Sequence, residues 1–368
     1  MAIREATIEA TYERMAERLG EFVPDFELRT KAELVYEIER LKVERNAVIL
    51  GHNYMEPALF HTVPDIVGDS LELSRRAAQT DKDVIVFCGV RFMAETAKIL
   101  SPDKTVLVPS SRAGCSLAES ITAADVRALK ERFPGIPVVT YINTYADVKA
   151  ECDICCTSSN AAAVVDSLDS DTVIFLPDEF LARNVARDTG KRIMTIQEIA
   201  AAGDRMRSSA GAEMISWNGR CEVHEIFEVA DVRSVRKQFP DVEVLAHPEC
   251  SPEVVEASDF SGSTTAMIRH VQSSEASRFL LLTECSMGDN IIAESSGKDI
   301  LRLCSHRCPH MAEITLEETL AALRELRFEI DLPAETIERA RGSVMRMLEI
   351  KPSAAALPSA SAPRSAIR

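Results

Sequence analysis

The chain has 368 residues, 46% of them apolar, and a formal charge of −16. That length accommodates roughly two or three ordinary domains, each with its own core. The acidic balance and the lack of any Lys/Arg block argue against nucleic acid or an anionic membrane surface as partner, but leave small anions open, because local dipoles bind them whatever the net charge.

Residues 1–45 read as helical, with Ile8, Tyr12, Met15 and Leu19 at helical spacing, a break at Pro24 and a second helix around Ala32 to Leu41. Both are expected to pack outside the unit that follows. The opening stretch has no apolar leader pattern, and no later run reaches the roughly eighteen apolar residues of a membrane span. A cytoplasmic protein is the expectation. Strand Ala47 to Leu50 comes next, and Gly51 turns the chain so that His52 and Tyr54 sit at the strand's carboxyl end. Ligands of open parallel α/β sheets bind there. GDSLELSRRAA starts a helix capped by Asp69 or Ser70. After strand Val84 to Phe87 and an amphipathic helix, AGCSL delivers Cys115 from a Gly-containing loop directly before a helix, where the dipole favours thiolate.

The same order then recurs twice. VVTYINT ends a strand in Tyr141 and Asn143, CTSSNA brings Ser158 and Ser159 to a helix start, VIFL runs from Val173, and GRCEVH places Cys221 and His224 beside Trp217. Further on, strand Val244 to Ala246 ends in His247 and Glu249, Gly262, Ser263 and Thr264 open a helix, FLLL runs from Phe279, and LCSHRCPHM supplies Cys308. In all three cases the second apolar run starts 32 positions after the first polar strand-end residue: His52, Tyr141 or His247. The chain therefore reads as three α/β units, 46–133, 134–238 and 239–311, with N-terminal helices 1–45 before them. Behind them come C-terminal helices within 312–350 and a Pro/Ala/Ser-rich tail, 351–368, with the composition of disorder. Each hydroxyl-bearing helix start alone is a plain cap; three in register suit phosphate and carboxylates.

Ten cysteines without a leader are not the pattern of a disulfide framework. Cys88 and Cys285, in or just after apolar runs, read as core thiols, and Cys250 as a neighbour of the strand-end cluster. Cys152, Cys155 and Cys156 with Cys304 and Cys308 could hold zinc, but that leaves Cys115 and Cys221 unexplained. Cys115, Cys221 and Cys308 instead give one thiolate per unit. Such a set suits an iron–sulfur cluster with one iron left open as a Lewis acid, although buried thiols would give the same pattern.

Taken in order, GHNY, GDSLELS, GVRFMAETAKIL, AGCSL, YINT, CTSSNA, GRCEVH, HPEC, GSTTAMI and CPHM followed by ITLEE resemble the quinolinate synthases over about Ile49 to Leu320. The resemblance implies three α/β/α domains with short parallel sheets about a pseudo-threefold axis, and one 4Fe-4S cluster at the centre on Cys115, Cys221 and Cys308. It implies condensation of iminoaspartate with dihydroxyacetone phosphate to quinolinate, with loss of phosphate and two waters, in NAD biosynthesis. His52, Tyr54, Tyr141, Asn143, His247 and Glu249 would line the cavity, together with Ser70, Ser158, Ser263, Thr264 and His224. Glu249 is the expected general base, its pKa raised by burial; Tyr54, Tyr141, His52 and His247 are expected acid/base partners or orienting donors. The last motif departs from one branch of the family, since Cys304 and Cys308 stand where that branch has three clustered cysteines. A regulatory disulfide between these two is left open. The instability of iminoaspartate suggests a functional link to L-aspartate oxidase. Rival classes are an iron–sulfur hydro-lyase and a non-catalytic redox sensor.

Overall fold

The structure, a computed structural model, describes residues 5–21, 23–201, 211–295, 297–304 and 307–351. All of the expected tail beyond Lys351 lies outside them. The strands form three all-parallel sheets. In the first, β1 (Ala47–His52), β2 (Ile66–Gly68), β3 (Val84–Cys88) and β4 (Thr105–Leu107) lie in the order β2-β1-β3-β4. In the second, β5 (Val138–Tyr141), β6 (Ile154–Cys156), β7 (Val173–Leu176), β8 (Ile193–Thr195) and β9 (Met214–Ser216) lie in the order β6-β5-β7-β9-β8. In the third, β10 (Glu243–Ala246), β11 (Phe260–Ser261), β12 (Arg278–Leu282) and β13 (Asp299–Arg302) repeat the first order as β11-β10-β12-β13. Helices flank each sheet, giving three similar α/β/α domains.

The central strands are continuous apolar runs because both of their faces are covered, as parallel sheets require. One polar device fixes all three in register. Asp65, Asp153 and Asp259 each stand at the start of a sheet's edge strand and accept the backbone N–H of its central strand, from Ile49 at 2.9 Å, Val138 at 2.8 Å and Val244 at 2.8 Å. The next helix starts five residues beyond Asp65 and Asp259, at Ser70 and Thr264, and eight beyond Asp153, at Ala161.

The second N-terminal helix spans Asp25–Glu44, longer than its apolar spacing suggested, because Pro24 caps it and Asp25 and Glu27 suit its first turn. Leu28, Val35 and Ile38 seal it into the core of the first sheet. Helix Leu316–Glu325 packs on this helix and on β3, while helix Ala334–Glu349 packs on helix Ala146–Glu151 and β6. No helix among the described residues is long and apolar enough to cross a membrane.

One cysteine reading is corrected. Cys285 is not a free core thiol: it is disulfide-bonded to Cys304, with their Cα atoms 5.1 Å apart. The cause is the register of β12 and β13, whose Leu281 and Arg302 are partners. Their carboxyl ends therefore set the two following cysteines side by side. The bond also takes Cys304 away from Cys308 and from any shared zinc site with Cys152 and Cys155.

Candidate active site

The carboxyl ends of β1, β5 and β10 face one cavity, which leaves about 70 Å³ for the centres of water-sized molecules. Every side chain expected at the site lines it except Ser263, which borders a larger groove outside. Ser70, Ser158 and Thr264, the hydroxyls at equivalent places after the three edge strands, all reach the cavity. Thr264 accepts a hydrogen bond from Asn53 Nδ2 at 2.8 Å, a partner that its own domain does not supply.

Cys115, Cys221 and Cys308 line one end of this cavity. Each stands at the start of a helical turn, and in each case the backbone N–H groups two and three residues on point at the sulfur: Leu117 and Ala118, Val223 and His224, His310 and Met311. Burial pushes the Cys115 thiol up to about 12 and Cys308 up to about 11, and raises Cys221 as well, each against the pull of those N–H groups. Three half-buried thiols that are costly to ionise alone, yet each supplied with donors for a thiolate, form a soft, electron-rich ligand set awaiting positive charge. N–H groups aimed at ligand sulfur are a known means of tuning iron–sulfur centres.

At the other end, Glu249 is a buried carboxylate surrounded by donors. His224 Nδ1 lies 2.7 Å from its Oε2, His247 Nδ1 lies 3.3 Å from the same oxygen, and Asn143 Nδ2 donates to Oε1 at 3.2 Å. The expectation of a raised pKa for Glu249 fails here. Burial does push it up, but the two imidazoles outweigh burial and hold the carboxyl well below its ordinary range. His224 itself is depressed by burial, against the pull of Glu249, so the pair rests as a neutral imidazole donating Nδ1–H to a carboxylate. The His224 ring stacks on His247 with centroids 4.6 Å apart. Tyr54 and Tyr141 are raised by burial and by Glu249, which keeps both as phenols.

His52 has a defined tautomer. The Tyr54 backbone N–H donates to its Nδ1 at 3.2 Å, so the ring proton is on Nε2. Burial, only partly opposed by Asp69, holds His52 down to about 4 from an ordinary 6.5; burial together with Arg18 does the same to His61, beside the first sheet. Both imidazoles are neutral in the folded chain and titrate near the ordinary value when unfolded. The stability they add is complete above pH 6.5 and is lost as pH falls from 6.5 towards 4, by up to ~3 kcal/mol for each. Urea midpoints should therefore drop between pH 7.5 and 5, and His61→Leu should flatten that drop. A midpoint constant over this range in the unmodified protein would contradict it.

The family model for the quinolinate synthetase A protein (NadA) matches residues 36–349. The chain belongs to the quinolinate synthase family. Similar proteins include the quinolinate synthase of Sinorhizobium fredii, 52% identical over 335 residues that cover 91% of this chain and 87% of the relative. That of Caulobacter vibrioides is 48% identical over 94% of this chain and 90% of its own length, and quinolinate synthase 2 of Mesorhizobium japonicum is 49% identical over 94% of this chain and its whole length. As a member of the quinolinate synthase family, the chain is an enzyme of that kind, and the cavity is its candidate active site.

Among the side chains at this site that the sequence did not single out for it are Thr283 and Asp69. Thr283, the first residue after β12, stands 2.6 Å from the Tyr54 hydroxyl and 3.1 Å from His224 Nε2, so it joins residues of different domains behind the cavity. Asp69 was visible only as a helix cap, and it does accept the Glu72 N–H at 3.0 Å, but it also lines the cavity. The threonine directly after the FLLL run of the third repeat would have pointed to the first of these.

Proposed function

We propose that the chain condenses iminoaspartate with dihydroxyacetone phosphate to quinolinate, releasing phosphate and two waters, as a C–C bond-forming transferase of de novo NAD biosynthesis in the cytoplasm. The observation that carries this reading is the single cavity at which three N–H-supplied thiols meet the polar strand ends of three domains. Cys115, Cys221 and Cys308 fit as the ligands of a 4Fe-4S cluster, being soft donors drawn one from each repeat. Bound on three protein sulfurs, such a cluster would supply one open iron, a Lewis acid for substrate oxygen or nitrogen.

The chain's own groups divide the remaining work. The hydroxyls of Ser70, Ser158 and Thr264 receive phosphate and carboxylates at the strand ends, where no arginine cluster stands. His52 offers a neutral Nε2–H to an anionic or carbonyl oxygen without adding charge. Glu249, ionised and exposed to the cavity, takes the proton released when the C–C bond forms. Tyr54 and Tyr141, held as phenols, stand ready to give protons to departing hydroxyls. An L-aspartate oxidase is the natural source of the unstable iminoaspartate.

The test is anaerobic reconstitution with iron and sulfide, followed by assay with both substrates and an iron count. About four irons per chain with quinolinate formed is the expected result. The same iron without quinolinate would discard the substrates. A single metal ion per chain would instead point to Cys221, His224 and Glu249, whose ligand atoms lie within 4.8 Å of one another.

A further inference from the structure

Beside the cavity lies a groove with about 1020 Å³ for the centres of water-sized molecules. Among the described residues only Asp69, Ser158 and Ser159 border both spaces, so they mark the neck at which the two adjoin. The carboxylate of Asp69 dominates this neck. Its Oδ2 accepts the hydroxyl of Ser159 at 3.0 Å and that of Ser263 at 3.1 Å, while Oδ1 accepts the Glu72 N–H at 3.0 Å. One side chain from the first domain thus ties down the helix starts of the second and third. No ion pair to Asp69 is found among the described residues, so the two hydroxyls carry the contact.

The repeat shows how unusual this group is. Counting four residues on from Asp65, Asp153 and Asp259 gives Asp69, Thr157 and Ser263. Two of the three equivalent positions carry hydroxyls; the third carries an acid, which accepts the hydroxyl of an equivalent. A carboxylate is also the wrong group to attract the anionic reactants of the proposed function. Charge-assisted hydrogen bonds to hydroxyls are strong, and an arriving phosphate or carboxylate would both repel Asp69 and compete for its donors.

We propose that Asp69 is a latch: it holds the three helix starts together across the neck, and release of its bonds to Ser159 and Ser263 sets the rate at which anionic reactants enter and product leaves. Asp69 is a positioning residue in this scheme and makes no contact with the reacting atoms. The inference rests on the proposed function only for the identity of the anions.

The experiment follows quinolinate binding to the anaerobic holoenzyme by stopped flow, with the fluorescence of Trp217, whose indole N–H bonds Ser120 O at 3.0 Å, as reporter. Asp69→Asn keeps the helix cap, since asparagine caps as well as aspartate, but loses the charge. It should raise the association and dissociation rates together, each about fivefold or more, with less than a twofold change in Kd, because the latch is closed both before and after binding. Ser159→Ala should act in the same direction, and the double variant should add little to either single change. Unchanged rates in both single variants, additive effects, or a shifted Kd at constant dissociation rate would overturn the latch. A second measurement does not depend on the substrate: amide hydrogen exchange at residues 157–161 and 263–267 of the ligand-free holoenzyme should quicken in both variants. Quicker exchange in a protein that does not bind quinolinate would keep the latch and reject the proposed function; unaltered exchange rejects the latch whatever quinolinate does.

Discussion

Cys221→Ala is expected to leave the reconstituted protein without the visible absorbance of an iron–sulfur centre, with iron falling from about four per chain to near zero. The three proposed ligands come from distant parts of the chain, and each is fixed by the N–H groups of its own helical turn. Two thiols anchored in this way cannot move to cover the position of the third. The substitution should not unfold the domain, because Cys221 sits half-buried in a turn after β9 and outside the hydrophobic core. Cys285→Ala supplies the contrast. It breaks the bond to Cys304 just beyond the carboxyl ends of β12 and β13, at a cysteine that does not line the cavity, and should leave iron content and absorbance as they were. Equal losses of iron in the two variants would show that the cysteines have been sorted wrongly, and Cys304, freed four positions from Cys308, would be the first alternative ligand to examine.

Much of this architecture was legible because the chain writes the same sentence three times. The apolar runs that became β1, β5 and β10 and their polar ends were readable from alternation of run and turn, since a parallel strand covered on both faces has no polar positions of its own. What escaped depends on residues that meet only after the domains assemble. Cys285 and Cys304 are neighbours through the register of β12 and β13, which no sequence spacing states. The direction of the Glu249 shift was misread because burial was visible in HPEC, whereas His224, from the preceding loop, was not visibly its partner. Ser263 was grouped with Ser70 and Ser158, but its true equivalent is Asp69; Thr264 is the residue that matches them. A shift of one position at a helix start turns a side chain from the cavity to the neck.

Glu249→Gln should leave iron per chain intact and cut turnover by roughly 10²–10⁴-fold, the usual contribution of a positioned acid or base. The size of the loss alone does not say why Glu249 matters, because the substitution removes a proton acceptor and also disturbs its neighbours. A carboxylate accepts at both oxygens, and here both are used: Asn143 Nδ2 donates to Oε1, while His224 Nδ1–H donates to Oε2. Glutamine brings one acceptor and one donor. If its oxygen faces His224, its amide meets the amide of Asn143, and two donors confront each other in a buried place. If it is turned the other way, His224 must move its proton to Nε2, where Thr283 now stands 3.1 Å away. Adding Asn143→Ala to Glu249→Gln removes the first clash without restoring a base. Should turnover stay at the level of the single variant, proton transfer by Glu249 accounts for the loss. Recovery toward the activity of Asn143→Ala alone would instead make Glu249 an orienting anion, and the base would have to be sought among the imidazoles stacked beside it.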